Sequence, residues 1–114
     1  MYENKKIAVI IAAAGKGTRV GGPVPKQFLK IGGDPVILKT LKAFNALDEV
    51  DHIFIVTNEE YIEHCAKIVA DNGIEKVREI VKGGAERQES VYNALQEVNR
   101  ICPGVSYVLI HDAA

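Results

Sequence analysis

The chain has 114 residues, enough for one compact domain and too few for two. Fourteen Lys and Arg against fifteen Asp and Glu leave a net charge of −1, which removes the electrostatic case for non-specific nucleic-acid binding. The hydrophobic share of 47% and charged share of 25% are those of an ordinary soluble globular protein, and nothing in them asks for a membrane.

After Met1 to Lys6 comes an apolar run, Ile7 to Ala14, without a small-residue cleavage site and far shorter than the roughly 20 residues a membrane helix needs. Its β-branched richness predicts a strand covered on both faces, in the middle of a parallel sheet. Residues 15–26 form a loop dense in Gly, Pro and basic side chains. Gly32-Gly33-Asp34-Pro35 predicts a turn and a helix start, with Asp34 as N-cap and Pro35 in the first helical position. Ile37, Leu38, Leu41, Phe44 and Leu47 then follow helical spacing.

Ile53 to Val56 reads as a second buried strand. Tyr61, Ile62, Cys65, Ile68 and Val69 make another helical stripe, stopped by Asn72-Gly73. Lys76 to Val81 predicts a third strand and Glu86 to Val98 a third helix, with Val91, Ala94, Leu95 and Val98 on one face. Tyr107 to Ile110 is a fourth strand running into His111-Asp112-Ala113-Ala114. Cys65 and Cys102 have no metal or redox spacing and read as free thiols, in keeping with a reducing cytoplasm. His52 and His64 belong to no constellation and read as surface residues, and His111 as a structural residue bonding its loop.

Strands alternating with helices predict βαβ units and a Rossmann-like α/β fold, a mostly parallel sheet with flanking helices. The expected strand order is 3-2-1-4. Growth of such a sheet reverses between strands one and four, and the crevice at their carboxyl ends is where a ligand is expected. A chain that stops four residues after a strand leaves that edge of the sheet without its covering layer, so a truncated domain is expected.

The loop after the first strand, Ala12-Ala13-Ala14-Gly15-Lys16-Gly17-Thr18-Arg19, has small residues where backbone can approach a ligand. It is not a P-loop, which needs Gly at position 10 and Ser or Thr at 17; Ile10 and Gly17 stand there. Nor is it a dinucleotide fingerprint, because Val20 occupies the third glycine's place. What remains is Gly-x-Gly-x-Arg with Lys16, Arg19 and Lys26 close together, a set of cations suited to a polyphosphate. On pattern alone, a surface loop with solvated cations remains the lesser alternative.

Four blocks taken together resemble the 2-C-methyl-D-erythritol 4-phosphate cytidylyltransferases. They are Ala13-Ala14-Gly15-x-Gly17-x-Arg19, Pro25-Lys26-Gln27, Gly83-Gly84-x-x-Arg87-x-x-Ser90-Val91 and His111-Asp112-Ala113-Ala114, in order and covering nearly the whole chain. The resemblance implies a nucleotide-diphospho-sugar transferase type of fold and transfer of CMP from CTP to the sugar-alcohol phosphate, with pyrophosphate released. It implies Arg19 and Lys26 as catalytic cations. Ala13, Ala14, Gly15, Lys16, Gly17, Gly83, Gly84, Arg87, Ser90 and Ala113 are implied as nucleotide-binding residues, with Asp112 on the side of a Mg²⁺ ion. Gly84 and the Ser90 hydroxyl would read cytosine, while Ala85 stands where relatives carry a polar side chain.

The resemblance further implies that residues 1–114 are the amino-terminal, CTP-binding portion of one nucleotidyltransferase domain. The acceptor half would be absent, so turnover by the chain alone is not expected. CTP and a sugar-alcohol phosphate are the implied partners, in a cytoplasmic homodimer that uses neither nucleic acid nor membrane. A ribitol- or glycerol-phosphate cytidylyltransferase, and a non-catalytic nucleotide-binding module, remain alternatives.

Overall fold

A computed structural model describes residues 6–14, 26–28, 30–31 and 33–113. Strand β1 (Lys6–Ala13) carries Ala8, Val9, Ile10 and Ile11, all fully buried. It lies between β4 (His52–Thr57) and β6 (Val105–Asp112), and β5 (Val77–Lys82) pairs with the far side of β4. The order β5-β4-β1-β6 is the expected 3-2-1-4, and every pairing in this sheet is parallel.

Alternate residues of the two central strands face opposite layers, as strand geometry requires. Val9, Ile11, Ile53 and Ile55 pack against Ile37, Leu38 and Leu41 of helix α1 (Val36–Asn45) and Cys65 and Ile68 of α2 (Ile62–Asp71). Ala8, Ile10, Phe54 and Val56 pack against Ala94 and Val98 of α3 (Arg87–Ile101). Helices therefore cover both faces, and this is why the central strands read as continuous apolar runs. The β6 edge is less covered: Tyr107, Leu109 and Ile110 are exposed. Among the described residues no helix is long and apolar enough to cross a membrane.

The structure corrects the start of the first helix. Asp34–Pro35 forms a short strand, β3, paired antiparallel with β2 (Lys30–Ile31) across a turn where Gly33 has φ 93°. Pairing holds Asp34 and Pro35 extended, so Pro35 itself is the N-cap, at ψ 145° and without a side-chain cap, and the helix begins at Val36. Helix α2 ends where expected: Gly73 takes φ 61° and Asn72 Nδ2 donates to the Ile68 carbonyl at 2.8 Å. Strand β5 lies one residue later than the apolar pattern placed it, and α3 starts one residue later and runs three residues further. Pro103, just beyond the Cys102 C-cap, cannot continue the helix. His52 is half-buried rather than a surface residue, while His64 is exposed and edge-on to Phe28.

Candidate functional site

Parallel register brings the strand ends together. Ala13 lies beside Thr57, and Ala12 beside Asp112, so the segments that follow β1, β4, β5 and β6 leave from one edge of the sheet. Crossed hydrogen bonds then tie those segments to one another. Gly83 donates its N–H to the Thr57 carbonyl at 2.7 Å, and Ala113 donates to the Ala12 carbonyl at 3.1 Å. From α1, Thr40 Oγ1 donates to the Ala113 carbonyl at 3.1 Å. The Ala13 carbonyl accepts from both Thr57 Oγ1 at 3.3 Å and Gln27 Nε2 at 2.7 Å.

Small residues are needed here because backbones touch. A Cβ on Gly83 would lie 2.5 Å from the Ala14 Cβ and 2.7 Å from Ser90 Oγ. Ser90 is buried, and its Oγ accepts the Gly84 N–H at 3.0 Å. The hydroxyl thus holds the Gly83-Gly84 turn in shape from inside the protein. Glu89 Oε1 accepts the Ala85 N–H at 3.0 Å, tying the same turn to the first turn of α3. The amino terminus of this 15-residue helix adjoins Gly83-Gly84, and its unpaired N–H groups and dipole favour an anion at that end.

Arg87, first in α3, reaches across to β6. Its Nε and Nη2 lie 3.3 and 3.2 Å from Asp112 Oδ1, and both side chains are exposed. Such an exposed pair adds little stability, and it leaves both groups within reach of a ligand. Nδ1 of His111 bonds the Asp112 carbonyl, as read for a structural residue, and its ring packs edge-on against Phe44 at 5.1 Å. Burial pushes the Cys65 thiol up to about 11, partly offset by a hydrogen bond with Thr57, so it is inert as a nucleophile.

Among the residues implied for the site, Ala13, Ala14, Gly83, Gly84, Arg87, Ser90, Asp112 and Ala113 are thus gathered at one edge of the sheet. Gly15, Lys16, Gly17, Arg19 and the Lys26 side chain lie outside the described residues. The backbone of Lys26 opens a three-residue 3-10 helix, Lys26–Phe28. No group of three or more His, Cys, Asp or Glu among the described residues could hold a metal by itself. A lone Asp112 fits Mg²⁺ of the kind carried mainly by phosphate oxygens and water. Both Arg87 contacts fall on Oδ1, so the second carboxylate oxygen remains for such an ion.

The family model for IspD, 2-C-methyl-D-erythritol 4-phosphate cytidylyltransferase, matches residues 7–114. The chain belongs to this family. A 2-C-methyl-D-erythritol 4-phosphate cytidylyltransferase of Clostridium botulinum (strain Langeland / NCTC 10281 / Type F) is 49% identical over 109 residues, 96% of this chain and 46% of that one. One from Alkaliphilus oremlandii (strain OhILAs) is 42% identical over 115 residues, 100% of this chain and 48% of that one. The chain therefore spans about half the length of the curated relatives it matches. Among solved structures, 4-diphosphocytidyl-2C-methyl-D-erythritol synthase from Anaerococcus prevotii DSM 20548 superposes with a TM-score of 0.75 at 27% identity. That match covers 96% of this chain and 43% of that one. The Francisella tularensis 2-C-methyl-D-erythritol 4-phosphate cytidylyltransferase gives 0.63 at 28% identity, covering 96% and 45%.

At this end of the sheet, the sequence motifs gave no role to Gln27, Thr40, Thr57 or Glu89. Thr57 carried a signal, a polar residue closing the otherwise apolar run Ile53 to Val56 at a strand's carboxyl end. Gln27 stood inside a recognised block, directly after Lys26. Thr40 lies on a helix distant in sequence from Ala113, and no local pattern could pair them.

Proposed function

We propose that this chain supplies the CTP-binding side of a cytidylyltransferase that joins CMP to 2-C-methyl-D-erythritol 4-phosphate. In that reaction an oxygen of the acceptor's phosphate attacks the α-phosphorus of CTP in line. The new P–O bond forms as the α–β bridging P–O bond breaks, and pyrophosphate departs with that bridging oxygen. Little covalent work falls to the protein in phosphoryl chemistry, so positioning and charge neutralisation dominate.

The glycine-lined segment after β1, with Gly15, Lys16 and Gly17, cradles the triphosphate with its N–H groups. Arg19 and Lys26 stabilise charge as it develops on the α-phosphoryl oxygens and the leaving group. Gly83 and Gly84 bring backbone against the cytosine, with Ser90 holding the turn, and Arg87 at the start of α3 adds a cation near the phosphates. Asp112 would hold Mg²⁺, which when bound would supply neutralisation of the triphosphate charge. A cytoplasmic homodimer using no nucleic acid and no membrane belongs to the same proposal.

The observation that carries this reading is the meeting of four family blocks at the carboxyl end of the sheet: Gln27 bonded to Ala13, Gly83 packed against Ala14, Ala113 bonded to Ala12, and Arg87 bonded to Asp112. Calorimetric titration of the chain with CTP, ATP and GTP, each with Mg²⁺, tests it. Binding preferring CTP is the expected result; equal binding of all three would favour a nucleotide module without base selectivity. In a protein of family length, pyrophosphate release with the methylerythritol phosphate should exceed that with ribitol or glycerol phosphates.

A further inference from the structure

The 3-10 helix Lys26–Phe28 is too short to hold its own shape, since three residues fix many torsions for one or two hydrogen bonds. Its placement must come from tertiary contacts, and among the described residues these are apolar packing of Phe28, on α1 among others, and one side-chain hydrogen bond. Phe28 is buried, stacking on Tyr61 with ring centroids 4.6 Å apart and meeting His64 edge-on at 5.2 Å. That packing holds the helix against α1 and the segment Tyr61 to His64, but apolar packing is weakly directional. The other is the 2.7 Å bond from Gln27 Nε2 to the Ala13 carbonyl, made by a side chain only 8% exposed.

The bond is not required merely to satisfy a buried acceptor. Thr57 Oγ1 already donates to the same carbonyl, and one partner meets the minimum need of such a group. A Met or Leu at position 27 would fill the space without the cost of burying an amide. What the amide adds is direction between the Lys26 backbone and the strand end where the glycine-lined segment departs.

We propose that Gln27 is a positioning residue for Lys26, holding the cation's backbone in fixed register with the end of β1 through the Ala13 carbonyl. The inference rests on the cytidylyl-transfer reading, in which Lys26 acts on the reacting phosphoryl group. Small misplacements of such a group are costly: about 1 Å can lower a rate by roughly 10²-fold.

The test is a double-mutant cycle in a protein of family length, read as turnover and as the KM for CTP, with melting temperature as a control. Gln27→Met should lower kcat by about 10- to 100-fold while leaving the KM for CTP within about twofold. In a Lys26→Ala background the same change should alter kcat by less than about twofold, because its effect passes through the missing cation. Gln27→Glu can donate to the carbonyl only when protonated, so its rate relative to the parent should recover as pH is lowered. Equal losses in both backgrounds, a loss confined to KM, or parental turnover in Gln27→Met would each overturn the proposal. Should Gln27→Met fail to fold, Gln27→Glu compared across pH in both Lys26 backgrounds decides the question. An inactive parent would instead refute the functional reading itself, and this inference would fall with it.

Discussion

The two ends of this one sheet are built on opposite plans. At the carboxyl ends of the strands, Ala13, Ala14, Gly83 and Ala113 let backbones close to contact, and buried Gln27, Thr57 and Ser90 bond main-chain groups. At the amino ends, Lys6, His52 and Arg78 surround a cavity of about 250 Å³ whose far wall is Ile101 to Val105. That wall includes the carboxyl terminus of α3, so the cations there oppose a negative helix end, while the positive helix end adjoins the glycines. Basic residues alone therefore do not distinguish the two ends. Bonded small residues at the positive end of a helix do.

The largest expected contrast is in turnover. In a protein of family length, Lys26→Ala should reduce kcat by about 10²–10³-fold, with a much smaller change in the KM for CTP. Arg78→Ala, at the amino end, should leave both within about twofold, because the helix terminus already accounts for that charge. Steady-state pyrophosphate release for the two variants decides whether cations at the two ends have different jobs.

Glycine substitutions sharpen the contrast in stability. Gly83→Ala drives a methyl into Ala14 and Ser90, neither with a flexible end to yield, and should destabilise by about 1–3 kcal/mol. Gly104→Ala, on the amino-end cavity, meets nothing within 4 Å and should be neutral or stabilise by about 0.4–1 kcal/mol through the unfolded chain. Urea denaturation measures both, and a similar loss at both positions would contradict the packing described for the carboxyl end.

A smaller, pH-dependent effect belongs to the amino end. The pKa of His52 is lowered, chiefly by burial and then by Arg78 and Lys6, with Asp51 opposing. The unfolded chain accepts the proton near the ordinary value of about 6.5 while the folded chain resists it. Stability should thus decline as pH falls from the unfolded value to the depressed folded one, and stay flat above it. Replacing His52 with Gln should remove that slope in denaturation midpoints. Asp51, held below its ordinary range by the Ile7 N–H, contributes stability that disappears only at lower pH still.

The sheet was legible because both faces of β1 and β4 are covered, which forces unbroken apolar runs in the chain. The observed strand order β5-β4-β1-β6 is the one expected of alternating strands and helices in a sheet whose growth reverses beside the first strand. The helix start at Asp34-Pro35 misled because Asp-Pro is both a capping signal and an acceptable short strand, and the partner Ile31 across the hairpin decided between them. At the site, glycines and cations could be named from motifs. The bonds that align them could not, because Gln27 to Ala13, Thr40 to Ala113 and Arg87 to Asp112 join residues 14, 73 and 25 positions apart.

The central claim concerns which end of the sheet receives the nucleotide. Amide chemical shifts of the chain, followed while CTP and Mg²⁺ are added, test it directly. The account predicts saturating shifts at Ala13, Ala14, Gly83, Gly84, Ser90 and Ala113, with Lys6, His52, Arg78 and Gly104 unmoved. Shifts centred on the amino-end cavity, with the glycine turn silent, would contradict it.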